Sequence, residues 1–521
     1  MKRERSIQAL EDAYQAWDVL VIGGGATGLA TALDAAARGF SVALIEQDDF
    51  AKGTSSRSTK LIHGGFRYLK QGNVPLVMES LHERGLLLRN APHIVRPMSF
   101  VLPAYHWWEA PFYMAGLKLY DALAGRLGIA PSDLLNHAET VERVPTIEPQ
   151  GLTAGVQYYD AQFDDARLAI CLARTIADLG GFPANYMKAE AFLKSNGRIT
   201  GVVARDLETN RELNIQAKVV INATGVFTDE LRRIDDSKAN GMMMTSQGVH
   251  IVLDRSFLPG DSAIMIPKTD DGRILFAIPW MDRVVVGTTD TPLPQPTLEP
   301  RALPEEVDFL IEHASRYLTK DPQERDVLSV FSGLRPLVKA GDGKDTSKLS
   351  RNHRIVVSDS GLVTITGGKW TTCRKMAEDT IDRAIKVAGL ERRHEATTDL
   401  KLHGCPDDSV GDSKWRDYGS DSATLEELIR KNPTWGETLH PNLPVCAAEI
   451  VFGARHEMAR DLEDALSRRT RALLLDANAT LKIAPTAAGL LAAELDRDQA
   501  WIQDQLRSFG QLVDGYRTAG Q

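Results

Sequence analysis

A largely parallel α/β sheet, with an antiparallel sheet inserted into it and a helical domain at its C-terminal end, is the fold class this sequence predicts. Three observations lead there. Residues 17–46 read as strand, glycine turn, helix and strand. Residues 184–221 and 246–291 alternate apolar and polar side chains between turn residues. From Leu425 onward the apolar residues recur at helical spacing.

The first stretch carries the most information. Residues 19–22 are a short apolar run of the kind buried on both faces in a parallel sheet. Gly23, Gly25 and Gly28 follow as G-x-G-x-x-G, then an Ala- and Leu-rich helix over 26–38, closed by Gly39. A second strand over 42–45 ends on Glu46. Each part suits a dinucleotide: Gly23 for the tight turn, Gly25 for backbone approach to a pyrophosphate, Gly28 for close helix–strand packing. The helix N-terminus offers N–H groups to that anion, and an acid about twenty residues on accepts from a ribose.

The loop that follows, Thr54 to Lys60, is rich in hydroxyls and cations, and Ser55, Ser56, His63 and Gly64 suit the diphosphate and flavin end of such a cofactor. A helix is expected over 76–90. Residues 98–127 combine Trp107, Trp108, Phe112, Tyr113 and Tyr120 with Lys118 and Arg126, and two readings stand level: an element lying in a bilayer interface, or aromatics packed in a core. Asp164 and Asp165 open a helix, where capping explains them better than acid–base chemistry. Residues 218–225 run a strand into a second glycine turn at Thr224 and Gly225, and residues 274–286 read as a hairpin. Gly367, Gly368, Lys369 and Thr371 form a third glycine turn at a helix start, with the helix over 370–387. The run of Arg468, Arg469 and Arg471 reads as a solvated face.

Composition narrows the class. The 521 residues, 43% hydrophobic and 25% charged, allow several domains with a large core. A net charge of −9 offers no general attraction to nucleic acid. Cys171, Cys373, Cys405 and Cys446 make no C-x-x-C pair, so a metal centre is not expected and a reducing compartment fits. The charged N-terminus lacks a signal-peptide core, and no apolar run approaches the roughly eighteen residues that span a bilayer.

Taken together, Gly23 to Gly28, Ser55-Ser56, Lys60 to Leu69, Asp164 to Leu168, Asn222 to Gly225, Ile278-Pro279-Trp280, Gly287 to Asp290, Ser332 to Pro336 and Gly367-Gly368-Lys369 resemble the FAD-dependent glycerol-3-phosphate dehydrogenases over about residues 17–385. The resemblance implies a glutathione-reductase-like FAD-binding (Rossmann-type) domain, an antiparallel substrate sheet and a C-terminal helical domain. It divides the chain into a tail (1–16), FAD-binding segments (17–97, 151–245 and 346–390), a cap segment with a membrane-facing helix (98–150), a substrate domain (246–345) and the helical domain (391–521). It further implies oxidation of sn-glycerol 3-phosphate to dihydroxyacetone phosphate in glycerol catabolism. Hydride would pass from C2 to flavin N5, and electrons onward to a membrane quinone. The alternative is an oxidase that uses oxygen and releases hydrogen peroxide. A cytoplasmic enzyme attached peripherally to the inner membrane surface is expected, and a homodimer is compatible. One position departs from the family: Cys373 stands where an aromatic is usual.

By the same resemblance the substrate site falls on Arg67, Tyr68, His250, Arg335, Arg351 and Lys369. The residue chemistry agrees. A phosphorylated alcohol needs fixed cations, and Arg335 between Leu334 and Pro336, with Arg351, can supply them. A base must take the C2 hydroxyl proton, for which His250 is the first choice. Lys369 is either that base or a charge beside the flavin. His63 is a hydrogen-bonding group of the flavin loop or a covalent anchor. Two other classes fit less well. A nucleic-acid-binding flavoprotein needs a basic stripe that is missing, and a non-enzymatic flavoprotein has no use for the substrate cations.

Overall fold

The computed structural model describes residues 1–12, 16–70, 72–267, 269–270, 272–339, 353–406 and 414–518, with the side chains of Arg67 and Lys70 left aside. Arg351 and the side chain of Arg67, both expected at the substrate site, therefore lie outside the described residues.

The first sheet forms as the motif at 17–46 requires. Trp17–Ile22 pairs in parallel with Val42–Ile45 on one side and with Glu212–Asn222 on the other. Val363–Thr366 adds in parallel to Glu212–Asn222, and Arg354–Val357 closes that edge antiparallel. Helices Ala26–Ala37, Asp165–Asp178 and Cys373–Ala388 bury one face of this sheet. The departure at Cys373 has a packing reason: Cys373 and Ala377 sit against Ala26 and Ala30, so small side chains let two helices meet closely. On the other face, Met187–Ser195 and Arg198–Asp206 form the expected meander with Glu212–Asn222.

Among the described residues the second sheet has ten strands. Its centre is the long pair Met243–Asp254 and Val327–Val338, flanked by the expected hairpin of Leu275–Trp280 and Arg283–Gly287. It is not wholly antiparallel, because Ala263–Ile266 lies parallel to Arg96–Ala104. Its membership also crosses the expected boundaries. Leu61–Ile62, Arg96–Ala104 and Ala154–Gln162, placed wholly or partly in FAD-binding segments by sequence, all join this sheet. Their alternating side chains need a partner face, and only the backbone register chooses which sheet supplies it.

Further expectations are corrected. The tail contains a helix, Arg3–Glu11, which buries Leu10 against the meander and bonds Arg3 to Asp206. The helical C-terminal region, containing Ala447–His456, Ala477–Leu495 and Gln499–Val513, is not a separate body. Its Ile450, Leu466 and Leu473 share one core with Val252, Trp280, Val285 and Phe331 of the second sheet. Arg468, Arg469 and Arg471 are not a solvated face. They are 2%, 3% and 1% exposed and reach Asp49 in the loop after Val42–Ile45 and Asp165 at the start of its helix. Asp164 caps its helix by accepting from Arg167 N–H. Asp165 instead lies fully buried between Lys60 and Arg471, which takes Lys60 away from any cofactor role.

Candidate functional site

Two cavities open between the sheets and join at Gly368, Lys369 and Trp370. The first, about 260 Å³, is the crevice above the carboxyl ends of the parallel strands. Gly23, Gly25, Glu46, Ser55, Thr224, Gly225, Gly368 and Lys369 line it. The glycines are needed there. A Cβ at Gly23 would lie 2.6 Å from the Ala223 carbonyl oxygen, and at Gly28 1.8 Å from that of Gly23. Gly28 thus lies under the crevice rather than in it.

Glu46 accepts from the N–H groups of Gly24 and Asp48, at 2.6 and 2.9 Å. Burial pushes its carboxyl up to about 7 against those two donors, so further donors such as ribose hydroxyls would find a receptive acceptor. The helix start is partly occupied. Ala26 N–H donates to Ser55 Oγ at 2.9 Å, so the hydroxyl shares the role expected of an anion. A narrow crevice, close glycine turns from three segments and a ribose-accepting acid fit a dinucleotide such as FAD.

The second cavity, about 200 Å³, continues from the first toward the second sheet. His63, His250, Arg335, Gly368, Lys369 and Thr371 line it. Ser246, Gly248 and His250 alternate along Met243–Asp254, so they share one face. Register places Ser246 opposite Arg335 and His250 opposite Phe331. Two glycines make room for the working side chains. A Cβ at Gly287 would stand 2.1 Å from His250 Cδ2, and one at Gly248 2.6 Å from Arg335 Nη2.

Arg335 is held in a fixed pose. Nη1 donates to Asp290 at 3.0 Å, and Nη2 donates to the Thr289 carbonyl at 2.8 Å and to Thr288 Oγ1 at 3.3 Å. The buried His250 ring stacks on Phe331 at 4.7 Å, and its Nε2 lies 2.9 Å from Thr59 Oγ1. Burial, with the nearby charges of Lys60 and Arg335, holds the imidazole well below its usual range, so it is neutral at neutral pH. Lys369 donates to Ser80 Oγ at 2.6 Å and lies 5.1 Å above the buried Tyr68 ring. Thr371 Oγ1 meets the His63 backbone N–H at 3.3 Å.

Besides Gly28, two more expected cofactor residues stand back from both cavities. The Ser56 carbonyl accepts from Lys60 and Arg471. Gly64 N–H donates to the Tyr120 hydroxyl at 2.8 Å. Sequence reasoning missed Thr59, Ser80, Thr288 and Asp290 as partners of the site. Gly287-Thr288-Thr289-Asp290 did carry a signal, since an acid just past a strand end can fix an arginine.

A family model described as FAD dependent oxidoreductase matches residues 18–374, and one described as the C-terminal domain of alpha-glycerophosphate oxidase matches residues 364–502. The chain is 39% identical over 557 residues to the mitochondrial glycerol-3-phosphate dehydrogenase of Homo sapiens, covering 100% of this chain and 76% of that one. Among solved structures it is similar to the glycerol-3-phosphate dehydrogenase from Bacillus halodurans complexed with FAD. The TM-score is 0.77 at 29% identity, covering 99% of this chain and 97% of that one. The L-alpha-glycerophosphate oxidase from Mycoplasma pneumoniae shares the fold at a TM-score of 0.57 and 18% identity, covering 74% of this chain and 98% of that one.

Proposed function

The chain belongs to the FAD-dependent glycerol-3-phosphate dehydrogenases, and from that membership we propose how its residues divide the work of oxidising sn-glycerol 3-phosphate to dihydroxyacetone phosphate. The observation that carries the reading is the meeting of a fixed cation, Arg335, and a neutral buried imidazole, His250, in one cavity continuous with the dinucleotide crevice. FAD, when bound, supplies the two-electron acceptor for the hydrogen that leaves C2 as hydride.

Arg335, its outer edge braced by Asp290 and Thr289, binds the substrate phosphate. His250 accepts the C2 hydroxyl proton as the hydride departs. The positive charge of Arg335 weakens that imidazole as a base in the empty site, and a phosphate on Arg335 offsets the charge. Substrate binding therefore strengthens the base at the moment it is needed. Lys369, tied to Ser80 at the junction of the cavities, holds positive charge beside the flavin end of the crevice. Gly23, Gly25, Glu46, Ser55, Thr224, Gly225 and Gly368 hold the rest of the cofactor, and His63 and Thr371 its flavin end.

We further propose a membrane quinone as the electron acceptor and a peripheral seat on the bilayer. Helix Glu109–Ala124 supports this, because one of its faces is packed and the opposite face presents aromatic side chains outward. Tyr113, Leu117 and Tyr120 are buried, whereas Trp108, Phe112 and Leu119 share the outer face with about half their surface exposed. Trp107, just before it, is 83% exposed. The buried face reaches the site loop through the Tyr120 contact to Gly64. Among the described residues no helix is long and apolar enough to cross a membrane.

Anaerobic stopped-flow tests the reaction: sn-glycerol 3-phosphate should bleach the flavin absorbance rapidly, and a ubiquinone analogue should restore it faster than oxygen does. Faster recovery with oxygen would replace quinone by the oxidase reaction. Vesicle flotation tests the seat. Replacing Trp107 and Phe112 by Ser should weaken binding to phosphatidylcholine–phosphatidylglycerol vesicles by at least ~10-fold, since each buried aromatic contributes roughly 1.5–3 kcal/mol. Unchanged flotation would remove this helix from the membrane contact.

A further inference from the structure

The loop that leaves Glu46 has two sides. Its inner side, through Gln47, Ala51, Lys52 and Gly53, lines the dinucleotide crevice beside Glu46. Its outer side turns Asp49 into the C-terminal region, where the carboxylate is wholly buried. Arg469 grips both oxygens of Asp49 at 2.7 Å, and Arg468 Nε adds a third bond at 2.5 Å. Lys52, on the same loop, is bonded to Glu463 of the same region, which also takes Arg468. A widened helical turn makes this grip possible. Thr470 N–H reaches back to the Ala465 carbonyl at 3.0 Å, and Arg471 follows in the left-handed region at φ 63°. Consecutive arginines thereby face the same carboxylate instead of fanning around a regular helix.

We infer that the C-terminal helical region clamps the ribose-binding loop through Asp49, Arg468 and Arg469, and so sets how tightly this chain retains FAD. The physical argument is one of rigidity. Glu46 can accept from a ribose only if the loop after it stays down, since the Asp48 N–H from that loop orients its carboxylate. Backbone bonds anchor the loop at its two ends, Tyr186 N–H to the Asp48 carbonyl at 2.9 Å and Ala51 N–H to the Gly24 carbonyl at 3.0 Å, with Lys52 N–H turning back to the Asp49 carbonyl at 3.1 Å; the side chain between them is held by the arginines. A buried carboxylate with three guanidinium bonds cannot leave without stripping the buried Arg469 of both its carboxylate bonds, although Arg468 keeps Glu463 and Asp464, so the loop is held closed. The two arginines hold the Asp49 carboxyl down to about 2, so the clamp stays charged across the working pH range. Asp49, Arg468 and Arg469 are positioning residues, acting on the cofactor through Glu46.

The test follows FAD release from the holoenzyme by the rise of free-flavin fluorescence, together with tryptophan fluorescence as the protein is titrated with urea. Asp49→Asn and Arg469→Lys should each release FAD at least ~10-fold faster than the parent, as expected when about 1.4 kcal/mol of cofactor binding is lost. Both should also lose FAD at urea concentrations below the unfolding transition, with competition by ADP for the emptied site weakened in parallel. Arg455→Ala, which removes an exposed ion pair with Glu494 in the same region, should leave release unchanged. If Asp49→Asn fails to fold, Arg469→Lys decides, since it keeps the charge and loses only the two-point grip. Release within twofold of the parent, or release that coincides with unfolding, would overturn the clamp and leave these bonds as domain packing alone.

Discussion

Replacing His250 by Ala should slow flavin reduction by sn-glycerol 3-phosphate about 10²- to 10⁴-fold, the range expected when a general base is lost, while FAD stays bound. The ring touches the second cavity and none of the residues around Glu46, so cofactor retention should not follow the rate. The pH profile gives an independent check. A base works only when unprotonated, and the His250 imidazole is held well below its usual range by burial and by Lys60 and Arg335. Lower pKa means the base survives to lower pH, so the acid limb of kcat/KM should fall below about pH 6.5, the ordinary histidine value. In the enzyme–substrate complex the phosphate offsets Arg335, and the corresponding limb of kcat should lie at higher pH. Parent-like reduction in His250→Ala would transfer the proton to another group, with Lys369 the next candidate.

Replacing Arg335 by Ala should raise KM and lower kcat/KM by at least ~25-fold, the equivalent of the roughly 2–5 kcal/mol lost when one partner of a close, buried charge pair is removed. The effect has two sources. The substrate phosphate loses its fixed cation, and Asp290 is left facing the incoming anion without its partner. Arg335→Lys should recover only part of the loss, because an ammonium cannot bond Asp290, Thr289 and a phosphate in one plane. Substrate titrations of initial rate at saturating acceptor measure this directly. A KM equal to that of the parent would place the phosphate elsewhere in the cavity.

How much of this was legible beforehand differs by residue. Gly23, Gly25, Glu46, Thr224, Gly225 and Gly368 could be assigned to the crevice because each belongs to a short strand–turn–helix pattern with its own backbone requirement. His250 and Arg335 carry no such local signature. They came from the family likeness, and only the pairing of their two strands shows that they share a face. Thr59 and Asp290 matter to the site only through partners far away in the chain, His250 and Arg335.

The sequence by itself determined the elements set by short-range physics: the first parallel strands and their glycine turns, the meander, the hairpin at 274–286, and the helices after Gly25, Asp164 and Lys369. It also carried the family, because the spacing of those turns is tied to the cofactor. The tertiary structure alone decided which sheet received Arg96–Ala104 and Ala154–Gln162, and which face of Glu109–Ala124 went inside. It also decided whether Arg468, Arg469 and Arg471 met water or carboxylates. An arginine run reads the same in either setting. Burying a charge is favourable only where opposite charges wait for it, and here Asp49 and Asp165 arrive from the other end of the chain.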